Sequence, residues 1–207
     1  YVIATTSRFI LKNKIQIPKD LKAVITGSEP SIIVYKRKTE EDPLEWSIEQ
    51  IAEDAQGEAS VLILERYNFH LPDNQMTRML AKKHPQLSFR TMSVHGAKGL
   101  EADYVIAGLR GGLYGFPATK SDDPLLSMVL TQPDEYPHGE ERRLFYVAMT
   151  RARRKTFLVC ETGHDISVFA AELDSEKNEY KVAVLGLDTK KLTCVKCNSG
   201  TMVLRDG

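Results

Sequence analysis

Ala59-Ser60-Val61-Leu62-Ile63-Leu64 is a near-continuous apolar run, closed by Glu58 on one side and by Glu65-Arg66 on the other. A run this short, without polar alternation, predicts a strand buried on both faces, as in a parallel sheet. Four further runs read as strands: Ser31–Tyr35, Leu87–Val94, Tyr104–Ala107 and Phe157–Cys160; residues 180–187 suggest a last one. Helical spacing falls between them, over 1–12, Pro43–Gln56, Asp73–Lys83, Glu140–Arg153 and Ile166–Leu173, with a short helix at Leu125–Leu130. Strands alternating with helices predict an α/β domain with a mostly parallel sheet flanked by helices. Ligands of such sheets gather beyond the carboxyl ends of the strands. Two predicted strands end there in polar loops, Glu65-Arg66-Tyr67-Asn68 and His95-Gly96-Ala97-Lys98-Gly99.

The chain has 207 residues, with 28 basic and 28 acidic side chains and 42% hydrophobic residues. That apolar content at zero net charge excludes an intrinsically disordered chain. No run of about 18 apolar residues is present to span a membrane, and no leader-like segment opens the chain. A chain beginning at Tyr1 is expected to be part of a longer one. Three cysteines are too few for a disulfide framework, and a reducing, cytoplasmic setting is expected. Cys160 reads as a small core residue.

Two segments carry chemistry. The His95–Gly99 loop is glycine-flanked and basic, which suits either a phosphate contact or a tight turn out of a strand. It is not a complete phosphate loop: G-x-x-x-x-G-K-[ST] occurs nowhere, so the chain lacks the usual cradle for a triphosphate. The Glu140–Arg153 helix is apolar through its middle. Leu144, Val147, Ala148 and Arg151 share its expected buried stripe, which places Arg151 at the carboxyl end with a charge that needs a partner. That partner is either an internal carboxylate or an external anion, for which a guanidinium fork is well suited. The acidic start and basic end would also complement the helix dipole.

Thr91–Glu101 (TMSVHGAKGLE) resembles motif V of the superfamily 1A helicases of the UvrD/Rep type, and Glu140–Arg153 (EERRLFYVAMTRAR) resembles their motif VI. Leu64–Asn68 (LERYN) resembles the weaker motif IVa. The resemblance runs over about residues 1–175, within a domain expected over 1–178. It implies the second RecA-like domain, 2A, of an ATP-dependent 3′–5′ DNA helicase, a RecA-like fold without its own Walker A loop. In that family ATP and Mg²⁺ are held mainly by an N-terminal RecA-like domain, and the second domain closes on the nucleotide. Carried over by position, Arg151 would be the arginine finger. Glu101 would meet the ribose, and Lys98 and Gly99 would shape the nucleotide-side loop. Ser93 and His95, with Arg66 less firmly, would touch the DNA backbone. The implied partners are single-stranded and duplex DNA and the first RecA-like domain; the fragment alone would be inactive.

Three departures accompany the resemblance. The family's motif IV tyrosine-arginine would lie before Tyr1. Only about 25 residues separate Asn68 from Ser93, so the large helical insertion of the longer members is absent. Gly96 stands where a small hydroxyl residue is common, a mild change. A second class of function stays open: a non-catalytic nucleic-acid-binding or regulatory module on the same fold.

Residues 179–207 read as an extension. Its Cys194-Val195-Lys196-Cys197 resembles the first knuckle of a zinc ribbon, yet a tetrahedral Zn²⁺ needs four ligands and no Cys or His follows. Cys194 and Cys197 are then either half of a site or two ordinary thiols. The four remaining histidines, His70, His84, His138 and His164, share no spacing and read as solvated.

Overall fold

The computed structural model describes residues 2–13, 31–36, 42–118, 136–160 and 167–186. The Leu125–Leu130 helix, Cys194 and Cys197 lie outside them.

Six parallel strands form one sheet: β1 (Ile32–Lys36), β2 (Ala59–Glu65), β3 (Leu87–Ser93), β4 (Ala102–Gly108), β5 (Ala152–Cys160) and β6 (Ala183–Gly186). Their order across the sheet is β3-β2-β4-β5-β1-β6. The expected α/β fold is present. β6 pairs with β1, so the sheet continues past residue 178, where the extension was expected to begin.

Alternation along β2 shows why the Ala59–Leu64 run carries no polar face. Val61 and Ile63 point to one side of the sheet, Leu62 and Leu64 to the other, and both sides are covered. On the first side lie α2 (Pro43–Asp54) and α3 (Asn74–Lys83), which bring Ile48, Ile51 and Leu80 against Val61, Ile63, Tyr104, Ile106 and Phe157. On the other lie α1 (Val2–Leu11), α4 (Gly139–Met149) and α5 (Val168–Ser175), followed by the short α6 (Lys177–Tyr180). Phe9, Phe145 and Phe169 meet there edge-on or stacked, with centroids 5.2–5.3 Å apart.

The helix starts are local. Asp42 caps α2, accepting from the Leu44 amide at 2.8 Å ahead of Pro43 at the first turn. Asp73 caps α3, accepting from the Met76 amide at 2.7 Å.

Candidate functional site

Because every strand runs the same way, the sheet has one carboxyl edge and one amino edge. The candidate residues divide between them.

Arg151 stands at the amino edge. α4 stops at Met149 and β5 begins at Ala152, so Arg151 is not part of the helix expected over Glu140–Arg153. The Ala102 amide donates to the Arg151 carbonyl at 3.0 Å, and Ala102 then pairs with Ala152. The sheet thus takes the backbone that helical spacing would have extended. The buried stripe is also shifted: Arg142, Phe145, Ala148 and Met149 are buried, while Leu144, Val147 and Arg151 are only partly so.

The Arg151 guanidinium donates to three neutral oxygens: Val147 carbonyl (3.0 Å), Leu100 carbonyl (3.2 Å) and Thr150 hydroxyl (3.2 Å). Among the described residues no carboxylate pairs with it. A guanidinium has five N–H donors, so N–H groups remain beyond these three bonds.

Beside it runs the segment that connects β3 to β4. Gly99 has φ +84°, a backbone conformation that favours glycine, and so turns the chain toward Glu101. Glu101 is exposed and pairs with Arg153 at 3.1 Å. Lys98 is exposed. Leu100 accepts from Arg151 on one side of this segment and Ala102 donates to it on the other. Arg151 and the Gly99–Glu101 turn are therefore fixed to each other.

Ser93, His95 and Arg66 belong to the carboxyl edge. Ser93 ends β3 directly opposite Glu65, which ends β2. A short 3-10 turn, Val94–Ala97, follows, with Val94 and Ala97 buried and His95 exposed. Arg66 follows Glu65 and is engaged by Glu141 in the first turn of α4, with Nε–O distances of 3.0 Å and an Nη2–Oε1 distance of 2.6 Å. Glu141 also accepts from the Ala118 amide at 3.1 Å. The guanidinium lies 4.7 Å from the Tyr67 ring. Glu65 is buried and faces Arg110 at 3.7 Å; its carboxylate fills the space beside Gly108, where a Cβ would come within 2.3 Å of it.

The two edges are separated by the length of a seven-residue strand, about 20 Å at 3.3 Å per residue. The expectation that the whole His95–Gly99 loop sits at the carboxyl edge needs refining. Ser93 starts there, but the segment then returns across the sheet, and Glu101 adjoins the amino end of β4. α4 makes the same crossing, from Glu141 beside Arg66 to Met149 just before Arg151.

Sequence reading missed Arg142. It is only 5% exposed, donates to both Glu172 oxygens (3.1 and 2.6 Å) and to the Phe9 carbonyl (3.0 Å), and lies 4.1 Å from the Phe9 ring. Its spacing to Phe145 and Met149 is the one signal that could have found it. The expected run of cations at a helix end is instead the start of β5: Arg153 pairs with Glu101, Arg154 approaches Asp103 at 3.9 Å, and Lys155 pairs with Asp54. Among the described residues no group of three or more His, Cys, Asp or Glu side chains is placed to hold a metal ion. No described helix is long and apolar enough to cross a membrane.

Residues 70–162 match the family of the UvrD-like helicase C-terminal domain, a stretch that runs from just after β2 through β5. The chain is 34% identical over 152 residues to DNA helicase IV of Escherichia coli (strain K12), a match covering 73% of this chain and 21% of that protein. The chain thus spans about a fifth of that relative's length. The C-terminal domain of a possible DNA helicase from Lactobacillus plantarum WCFS1 superposes with a TM-score of 0.46 at 16% identity, covering 88% of this chain and 94% of that one.

Proposed function

We propose that this chain is the C-terminal motor domain of an ATP-dependent DNA helicase that moves 3′ to 5′, with Arg151 as its arginine finger. The observation that carries the reading is the state of Arg151. It is a partly buried cation at the amino edge, bonded to neutral oxygens and to no described carboxylate. Such a group has attraction to spare for an external anion. A guanidinium offered to a transferring phosphoryl group stabilises the charge that spreads over its oxygens.

Gly99, Lys98 and Glu101 would face the same nucleotide, with Glu101 released from Arg153 to accept from the ribose. Triphosphate and Mg²⁺ binding fall mainly to an N-terminal RecA-like domain, since this chain has no phosphate loop and its described residues no acidic cluster for a metal. DNA would lie along the carboxyl edge, where Ser93 and His95 would donate to phosphates without reading bases. Arg66, held by Glu141, would contribute less directly.

The test uses the full-length protein. Arg151→Ala should abolish ATP turnover while leaving ATP binding largely intact, and turnover at the normal rate would remove the finger assignment. The isolated chain should show no ATPase activity with or without single-stranded DNA. His95→Ala should weaken single-strand binding modestly and lower its salt slope; an unchanged slope would take His95 off the phosphate track.

A further inference from the structure

Glu101 is held firmly by its backbone and loosely by its carboxylate. The Arg90 guanidinium donates to its carbonyl at 3.3 Å. On either side, the Leu100 carbonyl accepts from the Arg151 guanidinium and the Ala102 amide donates to the Arg151 carbonyl. The carboxylate meets Arg153 at 3.1 Å, with the two side chains 55% and 61% exposed.

That pairing rests on an irregularity of the sheet. β5 runs beside β4 with Ala152 opposite Ala102 and Lys155 opposite Tyr104. Arg153 and Arg154 therefore stand together against the single residue Asp103, a bulge of the kind that re-aims side chains. The two arginines diverge from it. Arg154 approaches Asp103 at 3.9 Å and lies 5.8 Å from the centre of the Tyr104 ring, while Arg153 turns to Glu101. A regular strand would set one residue against Asp103 at this place.

A carboxylate that already has a cation gains less from a new donor than a bare one does. A ribose hydroxyl that donates to Glu101 must displace Arg153 or share the carboxylate with it. Whatever the ion pair contributed is then subtracted from the gain. Exposed pairs are weak and screened by salt, so the subtraction is small and adjustable.

We infer that Arg153 is a specificity-determining residue: it competes with the sugar of the nucleotide for Glu101 and so holds down the preference for a ribose over a sugar without 2′ and 3′ hydroxyls. This rests on the reading of Glu101 as the ribose contact and adds what sets the strength of that contact.

The experiment uses the full-length protein with single-stranded DNA. It measures the ratio of kcat/KM for ATP to that for 2′,3′-dideoxy-ATP, which is the discrimination itself. The two nucleotides share base and phosphates, so effects common to both cancel in the ratio. Arg153→Ala should raise the ratio roughly two- to five-fold, the span that an exposed ion pair allows. Arg153→Lys, which keeps a cation, should stay near the unmodified protein. Added salt should raise the ratio of the unmodified protein toward that of Arg153→Ala and leave the variant's own ratio flat. Glu101→Ala should bring the ratio close to unity. Both side chains are exposed, and far-ultraviolet circular dichroism checks that the variants fold. A ratio that Arg153→Ala leaves unchanged or lowers, while Glu101→Ala still collapses it, overturns the competition and leaves the ribose contact standing. So does a lysine variant that behaves as the alanine one. A ratio that Glu101→Ala leaves unchanged overturns the ribose contact itself, and the competition with it.

Discussion

Arg142 and Glu172 face each other as a two-pronged ion pair inside the α1–α4–α5 layer, at 3.1 and 2.6 Å, with the arginine almost wholly removed from solvent. Tyr180 donates to the same carboxylate at 2.6 Å, and Lys12 stands 3.3 Å away. Three helices and the residue that closes α1 therefore meet on one carboxylate. Removing Arg142 would strand that charge. Arg142→Ala should destabilise the chain by about 3–5 kcal/mol in urea unfolding. A loss below about 1 kcal/mol, the range of exposed pairs, would show that water reaches the site.

The same carboxylate sets a pH dependence. Burial pushes the Glu172 carboxyl up, but hydrogen bonds from Arg142 and Tyr180 and the charges of Arg142 and Lys12 outweigh it and hold it below the ordinary 4.5. Above that value the contribution to stability is complete. As pH falls toward the native-state pKa, the unfolded chain takes up the proton first and the contribution is lost. Glu172→Gln should therefore lower the urea midpoint near neutrality and flatten its decline below pH 4.5. Parallel acid limbs in the two proteins would assign the acid sensitivity elsewhere. Asp103, held down by hydrogen bonds from the Ser60 hydroxyl and amide, acts with the same sign.

Three glycines should respond differently to a methyl group. At Gly115 a Cβ would come within 2.4 Å of the Gly111 carbonyl group and 2.6 Å of the Arg110 oxygen, all backbone, so Gly115→Ala should cost about 1–3 kcal/mol or more. Gly99→Ala meets no atom but must adopt φ +84°, which costs about 1–2 kcal/mol and should blunt the turn beside Arg151. Gly96→Ala has ordinary room, 3.7 Å from the Ser93 hydroxyl, and should leave stability within about 0.5 kcal/mol. Denaturant midpoints for the three variants check this ranking.

Cys160 is a structural thiol. It is 4% exposed, and burial pushes it up to about 12, so the reactive thiolate is scarce at neutral pH. In a Cys194→Ser/Cys197→Ser variant, a disulfide reagent should label it only at the rate of unfolding. Rapid labelling of the native protein would show an opening of the sheet beside β1.

The centre of the fold was legible because its signals are local. The β2 run, the Asp73 start of α3 and the Asp42-Pro43 start of α2 need no partner to be read. The boundary between α4 and β5 was not. Nothing in Ala148-Met149-Thr150-Arg151-Ala152-Arg153 breaks a helix, and Arg153, Arg154 and Lys155 disguise the start of a strand. Their charges are answered by Glu101, Asp103 and Asp54, residues 52, 51 and 101 positions away. Arg142 was missed for a related reason: its partner Glu172 sits on another helix. At the candidate site, glycines and charge suggested the β3–β4 segment, but only the parallel register reveals that its two ends serve opposite edges.

α4 is about 16 Å long, eleven residues at 1.5 Å each. That is far shorter than the radius over which helices curve, about 60–100 Å. It behaves as a strut. One end is pinned to Arg66 through Glu141, and the other runs through Thr150 into Arg151. One short helix thus spans the distance between the Arg66 loop and the turn that carries Arg151. The ion pair that lies against the Tyr67 ring at one margin of the sheet and the cation at the other are carried by the two ends of the same strut.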